Sequence, residues 1–431
     1  MKQLRLGILG LGTVGAGTIE MLQSNASDIS RRCGTQITVV AASARDLSKD
    51  RDCDLSGIQL SDNPMDVVNN PDVDAVVELI GGYDLAKELV LAAIENGKHV
   101  ITANKALIAF HGKEVFAAAE AKGVVVAYEA AVAGGIPIIK AIREGLAGNQ
   151  IEAVAGIING TTNFILSEIR EKGRAYDDVL KEAQALGYAE ADPSFDVGGI
   201  DAAHKLTIMA SCAYGIPLQF ESCVIEGIEG IQGDDVKYAD ELGFQIKHLG
   251  LAIKTEQGVE MRVHPTLLPS EHLLANVNGA MNAVLVKGNR VGETMYYGGG
   301  AGAGPTASAV VADIIDLARS IAQQVPYLGY QQDQIQDLPA LTADQFQSAY
   351  YLRLQVSDQS GVMNAITQAL ASQGISIEAL LQKDPRGGGT ATVALITDKV
   401  VELSMRTALA QLEQLDAVST PITMLRVERF Q

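Results

Sequence analysis

The sequence predicts an α/β protein of three units: a parallel sheet with helices on both faces, an α+β unit, and a C-terminal unit of order βαββαβ. Two observations support this fold class. Apolar runs alternate with helix-like segments through residues 1–150, which is typical of a parallel sheet. The pattern changes after residue 150 and again after residue 347, and 431 residues are enough for two to three domains.

Five buried strands are predicted in the first unit, residues 1–150. Their apolar runs lack the period-two alternation of a half-exposed strand, so both faces of the sheet should be covered. Helix-like stretches lie between most of them. The predicted strands span residues 4–9, 37–42, 75–79, 99–102 and 124–127.

The second unit, residues 151–322, is predicted to be α+β because the regular alternation stops there. Its glycine-rich stretch, residues 298–305, precedes an apolar helix predicted over residues 305–322, with Pro305 near the first turn. We expect that helix to complete the first unit. The other predicted elements are strands 151–158 and 259–263 and helices 175–186 and 201–214.

Residues 323–347 are rich in Gln, Asp and Pro, and we interpret them as a linker. The third unit, residues 348–431, has the element order of a ferredoxin-like half-barrel. Its predicted elements are, in order, strand 351–356, helix 362–371, strand 375–381, strand 390–396, helix 401–415 and strand 422–427.

The composition excludes several classes of protein. With 33 Lys and Arg against 52 Asp and Glu, the formal net charge of −19 would repel nucleic acid and anionic lipid. Apolar runs are far shorter than the roughly 18 residues of a membrane span, and the first residues lack the features of a secretory signal. The four cysteines show no metal-binding or disulfide spacing. We therefore expect a cytoplasmic protein with no nucleic-acid or membrane partner.

A glycine-rich motif of the form GxGxxG follows the first predicted strand and opens a helix. The first glycine permits a tight turn, the second lets a pyrophosphate approach the backbone, and the third lets the helix pack closely on the strand. We predict a dinucleotide-binding domain of the Rossmann type, and a purely structural glycine turn is the alternative. The predicted cofactor-binding residues of the motif are Gly10, Leu11, Gly12, Thr13, Val14 and Gly15.

The end of the second strand bears on which dinucleotide binds. An acidic residue that holds an NAD ribose is expected roughly 20 residues beyond the glycines. The strand instead ends in Ala44 and Arg45, which favours NADP and a contact between Arg45 and its 2′-phosphate, while NAD stays possible. The alternative is that Arg45 is a solvated loop residue, since Lys49 and Arg51 are close in sequence.

A dense polar stretch lies between two predicted helices, at residues 187–201. Asp201 and Lys205 are four residues apart and should project from one face of a helix. Lys105 follows the fourth strand, at the sheet edge where ligands gather in open α/β folds. Carboxylates and lysines in this pattern suit an amino-acid substrate and a proton transfer. A capping aspartate, a surface ion pair and an acidic loop are the alternative.

Five motifs together resemble the homoserine dehydrogenase family over nearly the whole chain. They begin at Gly10 (GLGTVG), Thr102 (TANKALIAFHG), Tyr128 (YEAAVAGGIPII), Gly156 (GIINGTTNFIL) and Gly187 (GYAEADPSFDVGGIDAAHKL). The resemblance implies reversible oxidation of homoserine to aspartate semialdehyde with NAD or NADP, on the route to threonine, methionine and isoleucine. It also implies that residues 151–322 bind substrate and form the dimer contact, giving a homodimer or homotetramer.

The resemblance also implies roles for individual residues. Lys205 matches the acid/base lysine, Asp201 its companion and Lys105 the second active-site lysine. The substrate-binding positions that it implies are Gly187, Glu190 and Asp196, and Gly302 matches a position close to the cofactor. A monovalent cation, usually sodium, is implied at Glu129, Val132, Gly134 and Ile136, held largely through backbone carbonyls.

The third unit resembles an ACT domain, a module that senses amino acids. Residues 358–362 join its first strand and helix, and threonine is the ligand we expect there. Many such modules have Pro where this chain has Ser360. We expect a single-activity enzyme without a kinase domain, and activity that survives removal of the third unit near Gln345. The alternatives are a non-catalytic NADP-binding sensor and a reductase of similar build that acts on another semialdehyde or hydroxy acid.

Overall fold

The computed structural model describes residues 2–320, 325–383 and 389–430. The first unit is a six-stranded sheet with helices on both faces, followed by a π-helical turn at Ala141–Gly145. Its elements are β1 (Lys2–Leu9), α1 (Thr13–Ser24), α2 (Ala26–Cys33), β2 (Thr35–Ser43), β3 (Gln59–Ser61), α3 (Pro64–Asn69), β4 (Ala75–Glu78), α4 (Asp84–Glu95), β5 (His99–Thr102), α5 (Lys105–Lys122), β6 (Val126–Ala127) and α6 (Ile138–Lys140).

All pairings in this sheet are parallel, and the strand order is β3-β2-β1-β4-β5-β6. This order reverses direction between β1 and β4, and such a switch point is where open α/β sheets bind ligands. The predicted parallel sheet is confirmed. The strand predicted over 124–127 is shorter, Val126–Ala127, and the short strand β3 was not predicted.

The second unit contains more strands than the sequence analysis predicted. The strand expected at 259–263 continues to Pro269, and four further strands were not predicted: Val224–Ile225, Phe244–Lys254, Met281–Gly288 and Gly292–Gly299. Its elements are β7 (Ile151–Ile157), α7 (Gly160–Lys172), α8 (Tyr176–Ala185), α9 (Ser194–Val197), α10 (Ile200–Tyr214), β8 (Val224–Ile225), α11 (Gly233–Glu241), β9 (Phe244–Lys254), β10 (Val259–Pro269), β11 (Met281–Gly288), β12 (Gly292–Gly299) and α12 (Ala303–Ala318).

Helix α12 packs against the first sheet and not against its own unit. Val310 and Ile314 are fully buried in the same apolar cluster as Leu6 and Ile8 of β1. The helix spans Ala303–Ala318, whereas the sequence predicted 305–322, and residues 321–324 lie outside the described residues.

The segment predicted to be a linker, residues 323–347, is packed along its described part. The Tyr327 hydroxyl donates to the carbonyl of Val124 at 2.7 Å, and Phe346 is fully buried. Ala340 forms a β-bridge with Val259 at the start of β10. The segment is therefore fixed to both preceding units, which a free spacer would not be.

The third unit has the predicted order βαββαβ with an added two-residue strand. The elements are β13 (Gln347–Ser357), α13 (Val362–Ser372), β14 (Ile377–Lys383), β15 (Thr390–Thr397), β16 (Val400–Val401), α14 (Glu402–Leu412) and β17 (Val418–Val427). The four long strands lie in the order β17-β13-β15-β14 and pair antiparallel.

The sheets of the second and third units are continuous. Strand β17 pairs with β10 in parallel, with Thr266 opposite Arg426, and the joined sheet has eleven strands. One apolar cluster also spans both units, with Leu267 and Ile246 beside Tyr351 and Leu425. The dimer contact that we expect at the edge strands of the second unit therefore cannot use the part of β10 that β17 covers. Among the described helices, none is long and apolar enough to cross a membrane.

Candidate functional site

The glycine-rich turn after β1 has the geometry that its sequence predicts. Gly10 has a φ of +97°, and a Cβ there would lie 2.8 Å from the carbonyl oxygen of Leu79. A Cβ on Gly15 would lie 2.0 Å from the carbonyl oxygen of Gly10. A Cβ on Gly12 would have no neighbour within 4 Å, so the backbone there is open to a ligand. These contacts fit a dinucleotide phosphate above the turn.

The first amides of α1 are available at this turn. Gly12 caps the helix without a side-chain hydrogen bond, so the backbone N–H groups of Thr13 and Val14 begin an uncapped helix. The Arg51 guanidinium donates to the carbonyl of Leu11 at 3.0 Å and holds the turn from outside. This role of Arg51 was not predicted from the sequence.

Arg45 and Gly302 lie near the same turn. The amide of Gly10 donates to the carbonyl of Ser43 at 3.0 Å, which places the end of β2 beside the turn, and the exposed Arg45 follows two residues later. Gly302 has a φ of +113° and precedes α12. A Cβ on Gly17 of α1 would lie 3.2 Å from the carbonyl oxygen of Ala303, so the start of α12 adjoins α1.

Lys105 begins α5, and a buried network fixes its position. The Thr102 hydroxyl donates to the Glu78 carboxylate at 2.6 Å and accepts the amide of Asn104 at 3.0 Å. Asn104 caps α5 by accepting the amide of Leu107, and its side chain donates to the carbonyl of Gly82. The loop after β4 and the start of α5 are thereby tied together.

Lys105, Asp201 and Lys205 meet in one cluster, as the sequence analysis expected. Lys205 Nζ lies 2.7 Å from Asp201 Oδ2, and Lys105 Nζ lies 3.0 Å from Asp201 Oδ1. Lys205 also donates to the carbonyl of Ile158 at 2.7 Å, directly after β7. Asp201 bridges two lysines that come from different units of the fold.

Asn159 extends this cluster and was missed from the sequence. Its amide nitrogen donates to Asp201 at 2.9 Å and to Asp196 at 2.8 Å, while its oxygen accepts the amide of Thr162 and caps α7. The only sequence signal was a polar residue immediately after a buried strand, within the GIINGTTNFIL motif.

Burial and charge set the protonation of the cluster. Burial alone would raise the pKa of Asp201, but the two ammonium groups outweigh it and hold that pKa well below its usual range. Burial lowers the pKa of Lys205, and the charge of Lys105 adds to this. The pKa of Lys105 is raised, because Asp201 outweighs the effect of burial. Burial raises the pKa of Asp196.

Aromatic side chains form an apolar wall beside the lysines. The ring of His204 lies between Phe110, Phe195 and Phe220, with centroid distances of 5.1, 5.4 and 4.6 Å. Burial lowers the pKa of His204 to about 4, so its ring is neutral at pH 7. Lys105 Nζ lies 5.8 Å from the ring centre of Phe195. The wall limits solvent around the cluster.

Gly187 and Glu190 lie in the loop after α8, and their side-chain positions are exposed. Gly187 has a φ of +75°, which favours glycine at this turn. The carbonyl of Glu190 accepts from the Gln184 side chain at 3.1 Å. The structure thus brings Asp196 into the lysine cluster but leaves the Glu190 carboxylate at the surface.

The segment expected to hold a cation is largely buried, and its backbone is strained at Ala133. Ala133 and Gly134 both have positive φ, 56° and 50°. The Glu129 carboxylate accepts the amides of Ile139 and Lys140 at 2.9 and 2.8 Å, and burial raises its pKa to about 7. Within the described ranges, no group of three or more His, Cys, Asp or Glu side chains is placed to hold a metal. The residues of the segment named from the sequence are Glu129, Val132, Gly134 and Ile136.

The turn at residues 358–361 precedes α13 and is exposed. Gly361 has a φ of +96° and caps that helix, and the amide of Asp358 donates to the carbonyl of Gly389 at 2.8 Å. The amides that begin α13 therefore face an open turn.

Comparison with known proteins gives consistent matches along the chain. A family model for the NAD binding domain of homoserine dehydrogenase matches residues 10–129, and one for homoserine dehydrogenase matches residues 137–315. A third, for the ACT domain, matches residues 350–417. The three matches follow the three units in order.

Similar proteins cover the full length. The homoserine dehydrogenase of Pseudomonas aeruginosa is 56% identical, with 100% of both chains covered. A crystal structure of a homoserine dehydrogenase from Thiobacillus denitrificans has a TM-score of 0.95 at 55% identity, covering 100% of this chain and 99% of that one. A hyperthermophilic archaeal homoserine dehydrogenase in complex with NADPH has a TM-score of 0.61 at 27% identity, covering 73% of this chain and 97% of that one. The chain therefore belongs to the homoserine dehydrogenase family and carries a C-terminal ACT domain.

Proposed function

We propose that this chain catalyses the reversible oxidation of L-homoserine to L-aspartate 4-semialdehyde with a nicotinamide dinucleotide. The observation that carries the proposal is the cluster of Lys105 and Lys205 around the buried Asp201 carboxylate, at the same sheet edge as the glycine-rich turn. The family makes the chain an oxidoreductase of amino-acid biosynthesis that acts on a CH–OH group. We place it in the cytoplasm, on the route to threonine, methionine and isoleucine.

Lys205 is the acid/base residue in this proposal. Its lowered pKa favours a neutral amine, which takes the hydroxyl proton of homoserine as the carbonyl forms and returns it in the reverse direction. Lys105, whose pKa is raised, keeps its charge and stabilises the negative charge that develops on the substrate oxygen. Asp201 orients both lysines. A nicotinamide dinucleotide held by the residues of the glycine-rich turn would supply the hydride acceptor for this oxidation.

The substrate ammonium group requires a carboxylate partner, and we assign it to the segment that holds Gly187 and Glu190 in the loop after α8 and Asp196 in α9. Asp196 adjoins the lysine cluster through Asn159. The exposed Glu190 reaches the substrate only if this loop moves toward the cluster, and closure of a loop over a substrate is a common step in enzymes. Charge-assisted hydrogen bonds from the ammonium group would then select an amino acid over a plain alcohol.

We propose NADP as the preferred cofactor and NAD as the alternative cofactor. The proposal rests on the exposed Arg45 beside the turn, the missing carboxylate at the end of β2, and the NADPH complex of the archaeal relative. The residues that would hold the dinucleotide are Gly10, Leu11, Gly12, Thr13, Val14, Gly15, Arg45, Lys105 and Gly302.

We also propose that a monovalent cation, sodium, binds at residues 129–136. Hard cations prefer oxygen ligands, and the proposed ligands are backbone carbonyls of Glu129, Val132, Gly134 and Ile136. The positive φ of Ala133 supports this, because such strain persists where surrounding structure or a ligand compensates for it.

Regulation and assembly complete the proposal. Threonine, a product further along the route, would bind the turn at 358–362 and favour a low-activity state. The assembly would be a homodimer or homotetramer, and strand β12 is a free edge of the joined sheet among the described strands. A second chain could extend the sheet there.

The test is a comparison of substrates. Purified protein is assayed for NADP reduction with L-homoserine, with D-homoserine and with 4-hydroxybutyrate, which lacks the ammonium group. We expect turnover with L-homoserine at a kcat/KM at least about a hundredfold above either analogue, since a site built for a polar group rejects 4-hydroxybutyrate, which lacks it, and D-homoserine, which directs it elsewhere. Preference for another hydroxy acid would contradict the proposal and favour a related reductase. Dinucleotide binding without turnover would favour a non-catalytic sensor.

A further inference from the structure

Arg426 of β17 is fully buried and contacts two carboxylates from different units. Its guanidinium donates to Glu402 of α14, with both hydrogen bonds at 2.7 Å. It also donates to both oxygens of Glu226, at 3.0 and 2.9 Å. Glu226 belongs to the second unit and follows β8. The Glu226–Arg426 pair is therefore a direct polar link between the C-terminal unit and the body that carries the lysine cluster.

The backbone at Glu226 is held on both sides. Its amide donates to the carbonyl of Val263 on β10 at 2.8 Å. Its carbonyl is hydrogen-bonded to Nε2 of the buried His248 on β9 at 3.0 Å. The residue thus continues the line of β8 along the same edge of β10 that β17 occupies farther on.

Residues 225–228 then contact the turn between α9 and α10. The amide of Ile228 donates to the carbonyl of Val197 at 2.9 Å. A Cβ on Gly199, the residue that caps α10, would lie 3.1 Å from Ile225 and 3.2 Å from His248. Gly199 therefore packs closely against Ile225 and His248, and the 225–228 segment adjoins the start of α10.

The proposed catalytic groups lie at the beginning of α10. Asp201 is the second residue of that helix, and Lys205 lies one turn further. We propose that the Glu226–Arg426 pair positions this helix: it holds the 225–228 segment against Gly199 and so sets the place of Asp201 and Lys205. Glu226 and Arg426 are positioning residues for the reaction. The inference rests on the proposed role of Lys205.

The charge balance supports positioning over a simple need to neutralise Arg426. Glu402 is fully buried and already pairs with Arg426 through two hydrogen bonds. The side chain of Glu226 is 39% exposed and would be well solvated without a partner. Burial of Arg426 therefore does not depend on Glu226, and what the second pair adds is a fixed distance between β17 and the 225–228 segment.

The experiment compares Glu226→Ala and the isosteric Glu226→Gln with Glu428→Gln in the full-length enzyme. Glu428→Gln is the control, because Glu428 forms another ion pair between the units, with Arg262 at 2.6 Å. Arg262 lies outside the 225–228 segment. The measurements are kcat and KM for homoserine, dinucleotide affinity, and hydrogen exchange of residues 196–205.

We expect Glu226→Ala to lower kcat roughly ten- to a hundredfold, since a displacement of about 1 Å at a reacting group has this effect. Dinucleotide affinity should stay unchanged, and exchange at 196–205 should rise. Glu226→Gln, which keeps one acceptor oxygen, should show a smaller loss, and Glu428→Gln should stay within about twofold of wild type.

Wild-type kcat and wild-type exchange in both Glu226 variants would overturn the proposal. So would an equal loss of kcat in Glu428→Gln, which would show a general effect of loosening the units. Failure of the proposed function has a different signature, because an active Lys205→Ala enzyme would refute the role of Lys205. Exchange at 196–205 would still report whether Glu226 holds the helix.

Discussion

Asp201 and Lys205 lie four residues apart on α10, and their charged groups meet at 2.7 Å in a buried site. The same carboxylate holds Lys105 at 3.0 Å on its other oxygen. Because the three groups are this close, a proton gained by one changes the affinity of the others, and the apparent pKa values belong to the cluster. This arrangement suits a reaction that requires one neutral lysine and one charged lysine in the same site.

Replacing Lys205 with alanine should abolish most turnover without affecting cofactor binding. The loss of a general acid/base residue costs roughly 10²- to 10⁴-fold in rate, and Lys205 has no contact with the glycine-rich turn among those described. Steady-state kinetics and dinucleotide titration measure the two effects. Lys113→Ala, at an exposed lysine of α5, is the control. A Lys205→Ala enzyme with near wild-type kcat would refute the assignment.

Replacing Asp201 with asparagine should shift the pH dependence of homoserine oxidation to lower pH. The Asp201 carboxylate raises the pKa of Lys205 against the effect of burial, so its removal lowers that pKa further. A base with a lower pKa becomes neutral at lower pH, and the rising limb of kcat/KM moves with it. Profiles of wild type and variant from about pH 6 to 10 test this. A limb that moved to higher pH would contradict the prediction.

The sequence predicted those features that depend on residues close together in the chain. The glycine-rich turn, the pairing of Asp201 with Lys205 on one helix, and the six elements of the C-terminal unit all follow from local spacing. Each of them appears in the structure with small changes of boundary, such as α14 at Glu402–Leu412.

Contacts between distant residues were not predictable in this way. Asn159 meets Asp201 across 42 residues, and Arg51 meets Leu11 across 40. The joining of β10 to β17 depends on how two sheets dock, and no periodicity in either strand encodes it. A family motif gives the type and position of a residue but not the conformation of its loop. The surface position of Glu190 was therefore not predictable from the motif.

Replacing Arg45 with alanine should raise KM for NADP and leave KM for NAD nearly unchanged. Arg45 is exposed beside the turn, where it can meet a 2′-phosphate that NAD lacks. Arg51→Ala is the matched control. Arg51 donates to the carbonyl of Leu11, so its replacement should weaken the binding of both cofactors equally. Kinetics with each dinucleotide at saturating homoserine provide the measurement. Equal effects of Arg45→Ala on both would make Arg45 a bystander or a general phosphate contact.

Gly12→Ala and Gly15→Ala should affect different properties: the first should weaken dinucleotide binding, and the second should lower the thermal stability. A Cβ on Gly12 meets nothing within 4 Å in the protein, so Gly12→Ala should fold with an unchanged Tm but bind the dinucleotide poorly. A Cβ on Gly15 would lie 2.0 Å from the carbonyl oxygen of Gly10, so Gly15→Ala should lower the Tm itself. Thermal unfolding with and without NADP separates the two. Full NADP affinity in Gly12→Ala would show that no phosphate approaches the turn there.

Removing the C-terminal unit after Gln345 should destabilise the remaining body, contrary to the simple expectation that activity survives. Leu267 and Ile246 belong to an apolar cluster that Tyr351 and Leu425 complete, and β10 would lose its partner β17. Each such side chain contributes about 1.5–3 kcal/mol when buried, so the total loss is several kcal/mol. We expect the truncated protein to unfold roughly 10 °C lower or to aggregate. A truncated enzyme with unchanged Tm would show that the shared core contributes little.

Threonine sensitivity is therefore better tested in the full-length chain, with Asp358→Ala. Asp358 lies in the exposed turn before α13, away from the shared core, so the variant should keep the wild-type Tm and kcat. If threonine binds this turn in the low-activity state, the variant should require several-fold more threonine for half-inhibition. Inhibition curves at fixed homoserine measure the change. Equal inhibition of wild type and variant would place the sensing site elsewhere, and a wild-type enzyme indifferent to threonine would indicate another ligand or a structural role for the unit.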